Sequence, residues 1–168
     1  MEGGFVYYIG ISPTLLPLFL HFMKKIYRIV IDQNIVNEFN SKYFLDHPRA
    51  KNKAIKAPKH PSLNEYLGMT SVAQNTLKTK WEELIEYVLT TLHLKDIHIE
   101  KCRIDYTTYF KVDRRHDLDN ISPKFIFDGL VKAEFLADDD YKHVVSLTTK
   151  CDIDRYNPRI ELLVEVLE

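Results

Sequence analysis

Two aspartates, Asp117 and Asp119, lie two positions apart after a stretch of extended sequence. In an extended chain such side chains point to the same side, so both carboxylates face one point. Carboxylates this close repel one another unless a cation compensates them, and carboxylate oxygens are ligands that Mg²⁺ and Mn²⁺ prefer. The spacing therefore predicts a divalent-metal site. Taken alone, however, the tetrapeptide favours a plainer interpretation, in which Asp119 or Asn120 caps a helix and Asp117 is a solvated turn residue.

More charged residues follow at spacings that strengthen the metal hypothesis. Lys124 and Asp128 are four apart on a predicted helix and share one face, and the loop after this helix carries Asp138, Asp139 and Asp140. One aspartate of this loop would complete the ligand set, and Lys124 would stabilise charge on a phosphate. Taken alone, Lys124 and Asp128 would be an ordinary surface ion pair, and the loop would be a solvated acidic turn. Together they indicate a metal-dependent nuclease.

Charge is unevenly distributed along the chain. The net charge of −1 gives no global signature of nucleic-acid binding. Residues 49–60 nevertheless contain no acid and five basic side chains, namely Arg49, Lys51, Lys53, Lys56 and Lys59. With Arg114, Arg115 and His116 they form the predicted phosphate-facing surface, which would supply salt-dependent affinity without sequence preference. Composition alone favours an ordinary solvated lysine-rich loop.

The length of 168 residues suits one domain with a sizeable core. Residues 5–23 carry no charge, which makes them a membrane-span candidate by length, but Gly10, Pro13 and Pro17 interrupt them and a membrane anchor is the less favoured interpretation. We predict that residues 1–22 are an apolar extension outside the native fold and that 23–168 form the domain. Neither cysteine has metal-ligand spacing, which predicts reduced thiols in a cytoplasmic protein.

Hydrophobic periodicity predicts the element order β-α-β-α-β-β. The predicted elements are a strand at 26–32, a helix at 71–94, extended chain at 97–112, a helix at 120–134 and strands at 143–149 and 159–167. Residues 33–60 show no periodicity and are predicted to be a long irregular connection. The order predicts an α+β fold in which two helices pack on a mixed sheet of about four strands. With five glycines and no glycine-rich phosphate loop, a small-molecule nucleotide cofactor is not expected.

These residues together resemble one known family. The segments that carry the resemblance are Asp117-Leu118-Asp119-Asn120, Lys124, Phe127-Asp128-Gly129-Leu130, Asp138-Asp139 and the earlier Pro61-Ser62-Leu63-Asn64. They resemble the RusA family of phage and prophage Holliday junction resolvases. The specific motif covers residues 114–144, and the element order is similar from Lys24 to Glu168. Ile121-Ser122-Pro123 places one more residue before Lys124 than the best-known member has.

The resemblance implies a homodimeric, Mg²⁺-dependent endonuclease that cuts four-way or other branched DNA by paired nicks, with Mn²⁺ as a substitute metal. Asp117, Asp119 and Asp139 would be the essential metal ligands, Asp138 a supporting acid and Lys124 the catalytic lysine. Asn64 and the basic residues near it would lie close to the DNA. The alternative is a phage-derived DNA-binding or accessory protein on the same fold, without catalysis.

Overall fold

The computed structural model describes residues 25–59 and 61–167. This part of the chain contains four helices, four strands and one 3₁₀ turn. In chain order they are β1 (Ile26–Ile31), α1 (Gln33–Asp46), α2 (Leu63–Leu67), α3 (Ser71–Thr91), β2 (Cys102–Phe110), the 3₁₀ turn (Leu118–Asn120), α4 (Lys124–Lys132), β3 (Val144–Ile153) and β4 (Arg159–Val166).

The strands form one mixed sheet in the order β1-β4-β2-β3. β4 is antiparallel to both of its neighbours, whereas β3 runs parallel to β2. The parallel pair requires a crossover connection, and this connection contains the 3₁₀ turn and α4. The α+β class and the four-stranded mixed sheet agree with the prediction. The prediction of two helices was wrong, because the described chain forms four.

One face of the sheet builds the core. Alternate residues of β2 are buried, including Ile104 and Tyr106, because side chains two apart in a strand share a face. They belong to one apolar cluster with Trp81 and Leu84 of α3 and Ile126 of α4. Burial of such a cluster is the main favourable contribution to folding. It fixes the sheet against α3 and α4, and thereby fixes where the ends of β2 lie.

Helix α1 occupies the first half of the predicted irregular connection, so that prediction was wrong for residues 33–46. Asp32 caps the helix, since its Oδ1 accepts a hydrogen bond of 3.0 Å from the N–H of Ile35. Val36 and Phe39 are buried at helical spacing. Three asparagines in the helix, a residue type that favours caps and turns over helix interiors, obscure this apolar stripe in the sequence.

The basic segment after α1 is tied to the fold by one buried side chain. Asn40 is 3% exposed; its Nδ2 donates to the carbonyl oxygens of Val36 and Ile55 at 2.7 Å, and its Oδ1 accepts from the N–H of Ile55 at 3.3 Å. The neighbouring Lys53 and Lys56 are exposed. Residues 54–55 are thus held in the core while the lysines face solvent.

This anchoring gives a first prediction. Asn40→Ala leaves buried backbone groups of Ile55 without partners, and each such group costs about 1–3 kcal/mol. We expect the free energy of unfolding to fall by about 2 kcal/mol, measured by urea denaturation, and limited proteolysis to cut faster within residues 49–59. Asn37→Ala, on the exposed side of α1, is the control and should change neither. Equal stability of the two variants would contradict the anchoring role.

Helix α4 is shorter than predicted and begins at Lys124, with Pro123 at the position before it. Asn120 does not cap it, because no side-chain cap is present and Asn120 belongs to the preceding 3₁₀ turn. Strand β2 also starts later than predicted, at Cys102. Asp96 and His98 have positive φ angles of 63° and 57°, which interrupt an extended chain.

Both cysteines are free thiols in strands, in line with the expected reduced state. Burial raises the pKa of the Cys102 thiol to about 11 and raises that of Cys151 as well. In the described chain, none of the helices has the length and apolar character needed to cross a membrane. The predicted apolar extension at residues 1–22 lies outside the described residues.

Candidate functional site

A cleft with a volume of about 340 Å³ opens at the carboxyl end of β2. Thr108 of β2 and Ile160 of β4 are neighbours across the two strands and line it together. Residues 114–117, which follow β2, form part of its wall. The sheet therefore brings part of the predicted motif, including Asp117, to the opening of a cavity.

A hydrogen bond joins the two parts of the motif that are far apart in sequence. The backbone N–H of Asn64 donates to Oδ1 of Asn120 at 3.0 Å, across 56 positions. The first residues of α2 are thereby held against the 3₁₀ turn. Asn120 thus acts as a long-range tie between segments and not as the predicted helix cap.

Three cations and two acids line the cleft. The cations are Lys59, Arg114 and Arg115, and the acids are Glu65 and Asp117. Arg115 Nε donates to Asp117 Oδ1 at 3.1 Å. The predicted DNA-contacting residues Arg114, Arg115 and Lys59 therefore surround one opening, and one of them is already paired with a predicted metal ligand.

Glu65 is held in place by a capping box at the start of α2. Its carboxylate accepts hydrogen bonds from the N–H of Ser62 at 2.8 Å and from its hydroxyl at 2.9 Å. These bonds lower the pKa of Glu65, and the positive charges of Lys59 and Arg114 lower it further. Glu65 is therefore an ionised, satisfied structural acid, and Lys59 and Arg114 lie close enough to sense its charge.

The predicted catalytic lysine is paired with an acid in this structure. Lys124 Nζ donates to Asp128 Oδ1 at 3.3 Å, and Lys78 Nζ of α3 lies 3.3 Å from Asp128 Oδ2. The Asp128 side chain is only 13% exposed, whereas that of Lys124 is 56% exposed. Asp128 thus balances two lysines, and Lys124 keeps an exposed position.

The loop before β3 forms a three-residue cluster with metal-binding side chains. One ligand atom each from Asp138, Asp140 and His143 lies within 4.8 Å of the others. His143 Nδ1 is 2.7 Å from Asp140 Oδ1, which also accepts from the N–H groups of Lys142 and His143. These hydrogen bonds lower the pKa of Asp140, and the bond with the imidazole of His143 has the largest effect. Asp140 therefore both stabilises the turn and belongs to a group able to hold a cation.

The cluster contains only one member of the predicted ligand set, Asp138. In residues 25–59 and 61–167, the cluster just described is the sole group of three or more such ligands, and it lacks Asp117, Asp119 and Asp139. Two of the predicted ligands have local partners instead. Arg115 donates to the carboxylate of Asp117, and the N–H of Asp139 donates to that of Asp138. The two groups of acids also lie at opposite ends of β2: Asp117 lines the cleft at its carboxyl end, whereas the acidic loop leads into β3 beside Cys102 at its amino end.

His143 and Phe110 were not among the predicted site residues, and His116 was predicted only as part of the phosphate-facing surface. The His116 ring stacks on Phe110 with 3.5 Å between centroids and 4° between planes, and both rings line the cleft. The spacing Asp138-x-Asp140-x-x-His143 could have indicated the loop cluster, since it resembles a local metal-binding pattern. No sequence signal indicated the stacked pair, because it depends on how residues 111–116 fold back on β2.

Comparison with known proteins does not assign the chain to a group: no protein-family model matches it, and no curated protein does.

Proposed function

We propose that this protein is a divalent-metal-dependent endonuclease that cuts branched DNA, such as four-way junctions, by paired nicks in a homodimer. The observation that carries the proposal is the hydrogen bond from Asn64 to Asn120. It unites the two motif segments that resemble the RusA family, although they are 56 positions apart. It does so beside a cleft lined by three cations, as expected for a site that binds phosphates.

The acids of the motif are the proposed holders of the metal. Asp117 and Asp119 would supply carboxylate oxygens at the carboxyl end of β2, a donor set that fits Mg²⁺, with Mn²⁺ as a substitute. Asp138 and Asp139 lie at the opposite end of this strand, where β3 begins beside Cys102. There Asp138, with Asp140 and His143, would form a separate set whose imidazole favours a transition metal such as Mn²⁺. A bound divalent ion would supply an activated water and neutralise charge on the phosphate.

The basic residues have separate proposed roles. Lys59, Arg114 and Arg115 at the cleft would bind the phosphates that flank the scissile bond, and Lys53 and Lys56 would extend this surface along the exposed segment. Lys124 would leave Asp128 and donate to the phosphate that is being cut. Lys78 would then remain to pair with Asp128, so that no acid is left uncompensated beside the site.

A second candidate function is DNA binding without catalysis. The observation that favours it is the incomplete ligand set, since Asp117, Asp119 and Asp139 are not in the three-residue cluster. The longer spacing between Asn120 and Lys124 points the same way. A protein with these properties would hold a junction through its basic cleft and leave cleavage to another enzyme.

A cleavage assay separates the two candidates. The full chain is incubated with an end-labelled four-way junction and with linear duplex of the same sequence, in Mg²⁺, in Mn²⁺ and in EDTA. The endonuclease proposal expects metal-dependent nicks at symmetric positions in the junction and little cutting of the duplex. A gel shift of the junction without products in either metal would support the binder. If the junction is neither shifted nor cut, both candidate functions are wrong.

A further inference from the structure

The cleft at the end of β2 has the size of a small-ligand site and an aromatic wall. Its volume of about 340 Å³ is within the range of pockets that take small molecules. Phe110 and His116 are stacked in parallel, both are half-buried, and both line the cleft. Flat aromatic surfaces of this kind stack on nucleobases of any sequence.

The polar groups of the cleft suit the rest of a nucleotide. Its two acids already have close partners: Asp117 pairs with Arg115, and the carboxylate of Glu65 accepts hydrogen bonds from Ser62. Among the described residues, neither Lys59 nor Arg114 lies within 4.0 Å of an acid, so both charges are available to a phosphate.

The imidazole of His116 offers one more polar contact. Its Nε2 is buried and has no hydrogen-bond partner in residues 25–59 and 61–167. A buried polar atom without a partner costs free energy. A hydrogen bond to Nε2 must lie in the plane of the imidazole, so the sugar or phosphate of a nucleotide, and not the base stacked on the ring face, would have to supply it.

We infer that this cleft receives a single unpaired nucleotide of the DNA, with its base against the Phe110–His116 pair and its phosphate at Lys59 and Arg114. The inference rests on the proposed function and specifies its substrate: a branch point with an unpaired nucleotide. A base that is already unpaired enters without the cost of unstacking from a duplex. The cleft would thereby distinguish branched DNA from intact duplex.

The test compares two branched DNAs that differ in one base. Both carry one extra nucleotide at the branch point, which is intact in one and abasic in the other. Fluorescence anisotropy in EDTA gives the Kd of each for the full chain and for His116→Ala. We expect loss of the base to weaken binding of the unchanged protein by about 5- to 100-fold, the effect typical of one stacked base. His116→Ala should weaken binding of the intact DNA by a similar factor. It should weaken binding of the abasic DNA by less than about 2-fold, because loss of the base and loss of the His116 ring remove the same contact.

Three further variants make the result specific. His116→Phe keeps a stacking ring and should restore most of the base-dependent affinity, whereas Lys59→Ala should weaken both DNAs equally. His98→Ala, an exposed histidine away from the cleft, should change neither, and thermal melts check that each variant folds. If the abasic change has no effect while both DNAs bind, the nucleotide inference is wrong and the endonuclease proposal stands. If the unchanged protein binds neither DNA, both are wrong.

Discussion

Asp117→Asn and Asp119→Asn should each lower the rate of junction cleavage by on the order of 10³-fold while the protein stays folded. Each change removes a negative charge that would hold the metal ion, and such charge stabilisation is usually the largest contribution to catalysis of this kind. Binding of the junction should be preserved or tightened, because the loss of a carboxylate reduces repulsion with phosphate. Single-turnover cleavage, anisotropy and thermal melts measure the three quantities.

Asp113→Asn is the matched control for these variants. Asp113 is exposed in the same segment, so its substitution changes the net charge equally without removing a predicted ligand. The Asp113→Asn variant should cleave the junction at close to the rate of the unchanged protein. If Asp117→Asn behaves like this control while Asp140→Asn and His143→Ala abolish cleavage, the metal centre is the loop cluster and the predicted ligand pair is wrong. Loss of folding in Asp117→Asn would also contradict its proposed role, since it would show a structural residue.

Gly129→Ala should lower the free energy of unfolding by about 3 kcal/mol. A Cβ atom at this position would lie 2.7 Å from Cβ and 2.9 Å from Cγ1 of Ile85, a fully buried residue of α3. A Cβ atom cannot rotate away, so the two helices must separate across the best-packed part of the core. Overpacking of this kind costs about 1–3 kcal/mol and sometimes more, which outweighs the gain of about 1 kcal/mol that alanine usually brings to a helix.

Gly68→Ala provides the comparison. A Cβ there would meet only backbone oxygens at 3.6 Å, and its φ of −78° is ordinary for any residue. The melting temperature of Gly68→Ala should match or slightly exceed that of the unchanged protein. The melting temperature of Gly129→Ala should be lower by about 6–12 °C, given roughly 2–4 °C per kcal/mol for a chain of this size. Equal melting temperatures would show that α3 and α4 are not packed as closely as described.

The elements that could be predicted from the sequence are those whose local hydrophobic pattern matches the face that they bury in the fold. Helix α3 was evident because Leu77, Trp81, Leu84 and Val88 repeat at three- and four-residue steps, and the same residues meet the sheet. Strands β1 and β4 were evident from their β-branched residues. Helix α1 was missed because its apolar stripe is short and diluted by asparagines. One of these, Asn40, is needed at a buried position where its amide binds the chain at residue 55.

The candidate site was predicted in its residue types and less well in its contacts. Asp117, Arg114 and Lys59 could be named from charge and spacing, and they do line one cleft. The tie between Asn64 and Asn120 could not be predicted, because a hydrogen bond across 56 positions leaves no local pattern. The same applies to the stacking of His116 on Phe110. Local spacing reports which side chains share a face, whereas tertiary folding decides which faces meet.

The position of β4 in the sheet has a consequence for synthesis of the protein. Within residues 25–59 and 61–167, β1 pairs only with β4, and β4 also supplies Ile160 to the cleft. Chains emerge from the ribosome amino end first, so β1 must wait for β4 before it has this partner. A nascent chain that stops before Arg159 therefore has an unpaired β1 and an unfinished cleft. The cleft would be completed in a single late step, after an interval in which the exposed β1 is vulnerable to aggregation.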